Sequence, residues 1–318
     1  MPAVSVVIVT YNKADTVGAA IESVLRQTFS DLEILVVDDG STDDTARKVA
    51  AYGERVRYIR KMNGGTGSAR NRGIQEARSR YVAFLDGDDL WLPRKLERQM
   101  EAFGKEPGLI ATQCGAYCVD QDLRVFETRR CVSGKDTLRE FLFFGNLPAF
   151  SSTLIARRDV FDRVGGFALD LVILSDWDMA CRLAQAGTLR SVPELLVLYR
   201  HYPKNQSRNV KIHVWSGVRA LWRFFKRNRT DPEILAMERR AWARFYAMIG
   251  GGCVRNRDWE RGLAWTCKAL RTSPAVLPYV AGMPVRRLGR LLRGEAGKSF
   301  AHEFPYALSG GSPATVLR

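Results

Sequence analysis

The sequence predicts an α/β protein: a mostly parallel sheet with flanking helices, followed by an α-helical C-terminal region. Apolar strand-like runs alternate with helix-period segments from Val4 to about Gln99, the pattern of a parallel sheet with right-handed crossovers. Each of those runs ends in polar or glycine-rich sequence. Beyond Arg208 the chain reads as helical throughout and is rich in Arg, Trp and Ala.

Val4 to Thr10 is a nearly continuous apolar run, as expected of a strand buried on both faces. Asp15 is placed to cap a helix carrying Val17, Ile21, Val24, Leu25 and Thr28 at helical spacing. Glu33 to Val37 reads as a second strand. Ser41-x-x-Asp44 then has the form of a capping box opening a helix through about Tyr52. Val56 to Ile59 is a third strand, and "NGGTGSARNRGIQEA" is a glycine loop running into a helix. Tyr81 to Leu85 is a fourth strand, and Pro93 sits where a helix's first turn tolerates proline. Leu109 to Val119 is strand-like, and "STLIARRDVFDRVGGF" reads as strand, helix and Gly-Gly stop. "LSDWDMACRLAQAG" is an amphipathic helix with Trp177, Ala180, Leu183 and Ala184 facing a core and Gly187 ending it. "FYAMIGGGCVRNRDWERGLAWTCKALRTSP" resembles one helix-turn-helix unit of the tetratricopeptide type; a solenoid needs about three.

The chain has 318 residues, 46% hydrophobic and 26% charged, enough for roughly two domains. The division drawn is 1–207, with halves 1–105 and 106–207, and then 208–318. Met1-Pro2-Ala3 leads into a strand without a basic segment, so no secretory signal is read. "PAVLPYVAGMPV" holds three prolines and falls short of the ~20 apolar residues of a membrane span. The expected location is cytoplasmic, either free or peripheral at the inner face of the cytoplasmic membrane. Cysteines 114, 118, 131, 181, 253 and 267 form no CxxC pair, and there are three histidines, a pattern that points away from zinc and towards free thiols. Residues 206–318 carry 21 Lys and Arg against 7 Asp and Glu, or +14 of the total +15. That asymmetry points to an anionic partner or to a solvated helical face.

In open sheets of this kind, ligands bind at the carboxyl ends of the strands. Those ends are Thr10-Tyr11-Asn12, Asp38-Asp39-Gly40-Ser41, the loop 63–67, and Asp86-Gly87-Asp88-Asp89. Crowded carboxylates repel unless something positive relieves them. A divalent cation with oxygen ligands would do so, whereas a plain DGDD turn would not need one.

"VSVVIVTYN", "VVDDGSTDDT", "ARNRGI", "YVAFLDGDDLWLP" and "SDWDMACRLAQAG" follow in this order. Together they resemble a family-2 glycosyltransferase with the GT-A fold over roughly residues 3–205. The resemblance implies a nucleoside-diphosphate-sugar donor (UDP-sugar favoured), Mn²⁺ or Mg²⁺, and inversion at the sugar carbon. It implies a D-x-D element at Asp86 and Asp88, with Asp88 the direct metal ligand and Asp86 either a ligand or a contact to donor ribose or sugar. Asp89 is expected to cap the turn. Asp39 matches the carboxylate that meets the base, and Thr10 and Tyr11 the positions flanking it, with Asn12, Gly40 and Gly87 beside them. Arg70 and Asn71 match the "ARN" element near the donor; Arg70 pairing only with the acidic rim is the alternative. Asp176 matches the general base, with Asp178 as runner-up and helix capping as the bland reading. Ser175 stands where the family more often has Glu. Trp177 is a candidate for stacking on a sugar or for the core. Tyr202 stands where the family often has His, which argues against a histidine metal ligand. Arg200, Tyr202 and Lys204 are candidates for contacts to acceptor or diphosphate.

The competing reading is an inactive nucleotide-sugar-binding protein of the same fold. A Rossmann dehydrogenase or a nucleotidyltransferase is disfavoured, because no G-x-G-x-x-G follows the first strand and no Walker GKS/T motif is present. The expected acceptor is a glycan or lipid-linked precursor of a cell-surface polysaccharide. "VRALWRFFKRN" and "PVRRLGRLLRGEAG" mix Arg with Trp, Phe and Leu, as interfacial helices do, so an anionic membrane surface is the expected partner of the tail and nucleic acid is not. A helical cap or dimer face is the alternative, and no oligomeric state is read.

Overall fold

The structure, a computed structural model, describes residues 1–131, 137–143, 150–202, 210–282 and 298–304, the side chains of 210, 211 and 255 excepted. Strands β1 (Val4–Thr10), β2 (Leu32–Asp38), β3 (Arg57–Arg60) and β4 (Tyr81–Asp86) form a parallel unit in the order β3-β2-β1-β4. Alternate side chains feed two cores: Val4, Val6 and Ile8 pack on one face, Val7 and Val9 on the other. That double burial explains the unbroken apolar runs. The register aligns Thr10 with Asp38 and Val9 with Asp86, so three strand ends meet on one rim.

Helices α1 (Val17–Leu25), α2 (Thr45–Ala50) and α3 (Thr66–Glu76) make the crossovers. Two helix starts differ from expectation. The residue preceding α1 is Thr16, whose hydroxyl donates to Gly87 O at 2.8 Å, while Asp15 is exposed. The residue preceding α2 is Asp44; Ser41 Oγ instead accepts from Asn12 N at 2.9 Å, so no capping box forms. A long-range partner outcompetes the local cap.

The second half is mixed rather than parallel. Its elements are β5 (Leu90–Trp91), α4 (Lys95–Lys105), β6 (Leu109–Val119), β7 (Val125–Arg129), α5 (Thr137–Leu142), α6 (Phe150–Thr153), β8 (Ile155–Arg157), α7 (Val160–Val164), α8 (Ser175–Ala186) and β9 (Thr188–Arg200). Antiparallel β8 sits between β4 and β6, β9 runs parallel to β6, and β5 pairs antiparallel with β9. This turns the sheet so that β9 ends beside the loop after β4.

Helices α9 (Val210–Arg227), α10 (Pro232–Ala236), α11 (Glu238–Arg255), α12 (Trp259–Thr272) and α13 (Leu277–Ala281) follow. Gly217 of α9 lies against Phe245 of α11, where a Cβ would come within 2.0 Å of the ring. Ala220, Leu221, Phe224 and Phe245 belong to the same apolar cluster as Val7, Phe84 and Trp177. That cluster joins residues from both sides of position 207. Among the described residues no helix is long and apolar enough to cross a membrane. "PVRRLGRLLRGEAG" and Lys204 lie outside the described residues.

Candidate active site

At the end of β4 the chain turns sharply. Gly87 N donates to Val9 O at 2.8 Å, and a Cβ on Gly87 would press on Thr10 and Val9 O at 3.1 Å. The turn splits the three carboxylates. Asp89 is fully buried; it accepts from Arg200 N at 2.9 Å and Ser152 Oγ at 2.5 Å, tying the turn to β9 and α6. Burial, then the charges of Asp88 and Asp86, push its carboxyl well above the usual range. Asp89 is thus an internal cross-link rather than a local turn cap. Asp86 and Asp88 stay at the surface, with side chains 29% and 19% exposed.

Each surface carboxylate is held by a cation. Arg70 Nη2 donates to Asp86 Oδ1 at 2.7 Å, and Lys13 Nζ to Asp88 Oδ2 at 2.6 Å. Burial alone would lower the pKa of Lys13; Asp88, joined by Tyr202 and Asp89, outweighs it and raises the pKa. No hydrogen bond reaches Asp86 Oδ2 or Asp88 Oδ1 among the described residues. An all-oxygen pair with two open oxygens suits a hard divalent cation that keeps its other positions for phosphate and water. Among the described residues no third His, Cys, Asp or Glu completes a protein-only cage.

Arg70 is the centre of the site. Its second nitrogen, Nη1, donates to Asp176 Oδ1 at 2.8 Å, and its guanidinium lies 5.3 Å from the Phe167 ring centre. The side chain is buried; desolvation works against its charge, but Asp176 and Asp86 outweigh it and raise its pKa. Ser151 Oγ donates to the other oxygen of Asp176 at 2.6 Å. Asp176 opens α8 and its side chain is 34% exposed. Leu174, the residue before the helix, has φ +67°, a left-handed conformation unusual for leucine and of the kind that clusters at functional sites.

Several predicted residues turn out differently. Asp178 is buried and paired with Arg182 at 2.7 Å, which rules it out as the base. Arg182 also donates to the carbonyls of Val164, Gly165 and Gly166. Trp177 is a core residue: it is fully buried and its Nε1 donates to Phe141 O at 2.7 Å, so it cannot stack on a sugar. Asn71 uses both ends of its amide on the main chain of Phe167. Its effect on the site is indirect, through the ring beneath Arg70.

At the other strand ends, Asp39 accepts from Lys61 Nζ at 2.6 Å and from the N–H groups of Gly64 and Gly65. It anchors the glycine loop at the start of α3. Gly40, at φ +85°, lies so close to Asn63 N (3.0 Å to a built Cβ) that a side chain would collide. Asn12, at φ +50°, accepts from Thr42 N at 2.8 Å and clips the β1 and β2 loops together. Thr10 is buried with its hydroxyl unpartnered, and Tyr11 stands exposed on the rim. Arg200 is buried, and its Nε and Nη2 lack partners. Tyr202 lies beside it and 5.0 Å from Lys13; burial raises its pKa and Arg200 opposes that rise.

Residues 5–165 match the family model "Glycosyl transferase family 2". An uncharacterized glycosyltransferase of Rickettsia typhi is 30% identical over 242 residues, spanning 74% of this chain and 76% of its own. The chain belongs to glycosyl transferase family 2. Solved structures share the fold. S. aureus TarS 1-349 in complex with UDP-GlcNAc superposes with TM-score 0.57 at 18% identity, covering 83% of this chain and 90% of that one. The mannosyltransferase PcManGT of Pyrobaculum calidifontis, in complex with GDP-Man and Mn²⁺, gives 0.56 at 20% identity, with 91% and 84% covered. As a family-2 glycosyltransferase with a GT-A fold, the chain adds side chains that the sequence reading did not name: Lys13, Lys61, Ser151 and Ser152. Each meets its partner across at least 22 positions of sequence.

Proposed function

We propose that the chain is an inverting, metal-dependent glycosyltransferase that moves a sugar from a nucleoside-diphosphate-sugar, with UDP-sugar favoured, to an acceptor hydroxyl of a polysaccharide or lipid-linked glycan precursor. The observation that carries this reading is the single guanidinium of Arg70, which grips Asp86 on one side and Asp176 on the other. One buried group thereby fixes the distance between the D-x-D element and the candidate base.

Residues 1–105 make the donor half and 106–207 the acceptor half. Tyr11 offers a face to the base, and Asp39 meets it when the Lys61 side chain swings away while the glycine N–H groups hold the carboxylate in place. Asp88 and Asp86 are the residues that would hold a divalent cation, whose charge would then offset that of the leaving diphosphate. Arg200 brings two unpartnered guanidinium nitrogens to the same anion. Asp176, oriented by Arg70 and Ser151, takes the proton from the acceptor hydroxyl. The acceptor oxygen bonds to the anomeric carbon as the bond to the diphosphate oxygen breaks, inverting the centre.

Thermal-shift titration with nucleoside diphosphates, with and without Mn²⁺, tests the donor site. A uridine-diphosphate shift that needs Mn²⁺ and disappears in Asp88→Ala is expected; no shift with any nucleotide would overturn the reading. Asp176→Asn should lower turnover by about 10³-fold with the nucleotide shift retained, within the usual range for a general base. Unchanged turnover would remove Asp176 from the reaction.

A further inference from the structure

Helix α9 has two unlike faces. Ser216, Ala220, Leu221, Phe224 and Phe225 are buried, and Phe224 meets Trp177 of α8 edge to face at 6.0 Å. The opposite face exposes Trp215 (50%), Val218 (41%) and Trp222 (55%), spaced i, i+3 and i+7. Surface tryptophans seldom line up in this way without a partner. Two basic side chains lie over their rings: Arg219 at 5.3 Å from Trp215 and Lys226 at 4.5 Å from Trp222. From Trp215 to Arg229 there are five Arg and Lys residues and no acid.

The face continues onto a second element. The segment 168–174 leads into α8, which carries Asp176 in its first turn, and it exposes Leu169 (65%) and Val172 (53%). Its Asp170 accepts from Arg219 Nε at 2.8 Å and also pairs with Arg223, which fastens this segment to α9. Aliphatic, tryptophan and basic groups from two elements are thus fastened together, and one of these elements runs into the helix that carries the candidate base.

We propose that this surface, Leu169 and Val172 with Trp215, Val218, Trp222 and Lys226, seats on an anionic bilayer and brings the entrance beside Asp176 to the headgroup layer. Tryptophan rings and leucine-type side chains favour the interface, and unpaired lysine and arginine favour anionic headgroups. Among the described residues no helix is long and apolar enough to cross a membrane. The inference rests on the reading of a lipid-linked acceptor, since a hydroxyl on a membrane carrier must be met at that depth.

The test is co-sedimentation of the full chain with phosphatidylcholine vesicles and with phosphatidylcholine/phosphatidylglycerol vesicles. Binding only to the anionic vesicles is expected, with at least a tenfold loss in Trp215→Ser/Trp222→Ser and a smaller loss in Lys226→Glu. Leu169→Ser/Val172→Ser provides a second, independent variant on the other element. All three replace exposed groups, and thermal melting checks their fold. No binding by the wild type, or equal binding by both double variants, overturns the proposal. So does concentration-dependent self-association that the tryptophan variant abolishes without any vesicle binding, which would make the face a contact between copies. The Mn²⁺-dependent nucleotide shift, measured on the same variants, is unaffected by failure here, so the donor-site reading stands or falls separately.

Discussion

The ends of β2 and β4 each present a cluster of carboxylates, and they satisfy them in different ways. At β2, Asp38 accepts from Ser41 N and Tyr58 Oη, and Asp39 from two glycine N–H groups besides Lys61. Most of those donors are fixed in the fold. At β4, only Asp89 is satisfied that way; Asp86 and Asp88 are held by the side chains of Arg70 and Lys13. A backbone donor cannot leave without unfolding something, whereas a lysine side chain can swing away. The difference separates carboxylates that build the rim from those that can be handed to a ligand.

Two lysines near the acidic loop repeat the contrast with the sign reversed. Lys13 has a carboxylate partner and is about a third exposed. Lys95 is fully buried, its Nζ has no hydrogen-bond partner, and it lies 3.6 Å from the Trp91 ring centre. Burial pulls its pKa down to about 7.

The sharpest way to break the comparison is to remove one carboxylate of each kind. Asp89→Ala leaves Arg200 N and Ser152 Oγ without their acceptor inside the protein, and it should cost about 3 kcal/mol in urea unfolding. Asp88→Ala exposes only a partly solvated lysine and should cost under about 0.5 kcal/mol. Equal losses would mean that both carboxylates are structural.

Lys95 comes next. Its folded pKa lies below the unfolded value, so between about pH 7 and the ordinary lysine range the unfolded chain holds a proton that the folded chain lacks. Stability therefore rises with pH through that window and levels off below about pH 7. From about pH 7 to about pH 9 the wild type should gain roughly 2 kcal/mol more than Lys95→Met. Parallel profiles for the two proteins would show that Lys95 keeps its proton in the fold.

Much of this was readable in the sequence, for a physical reason. Unbroken apolar runs such as Val4 to Thr10 report double burial, and the ends of such strands are where ligands sit, so the rim was legible from periodicity alone. The wiring of the rim was not. Ser41 reads as a local cap but bonds Asn12, 29 positions back, and Asp89 reads as a turn residue but bonds Arg200, 111 positions on. Trp177 and Asn71 sit beside or within motifs of the family and yet face the core and Phe167, because a motif marks where a residue lies and not where its side chain points.

The smallest predicted effect bears most directly on what Lys13 does. Its backbone is fixed at the start of α1, where Lys13 N donates to Thr45 Oγ1 and Lys13 O accepts from Thr16 N and Val17 N. Only the side chain is free to choose between Asp88 and another anion. A divalent cation arriving at Asp88 Oδ1 is repelled by the ammonium on Oδ2 unless the lysine moves aside, so Lys13→Met should bind Mn²⁺ about tenfold more tightly in the absence of nucleotide, a difference of about 1.4 kcal/mol. Once a diphosphate is present the displaced ammonium has a new anion within its reach, and the variant should lose that advantage. Calorimetric titration of Mn²⁺ with and without uridine diphosphate separates the two states. Tighter Mn²⁺ binding that persists unchanged with nucleotide would make Lys13 a simple counter-ion of Asp88. Weaker binding in both states would mean that the lysine holds the acidic turn in shape, and would place Asp88 with Asp38 among the carboxylates that build the rim.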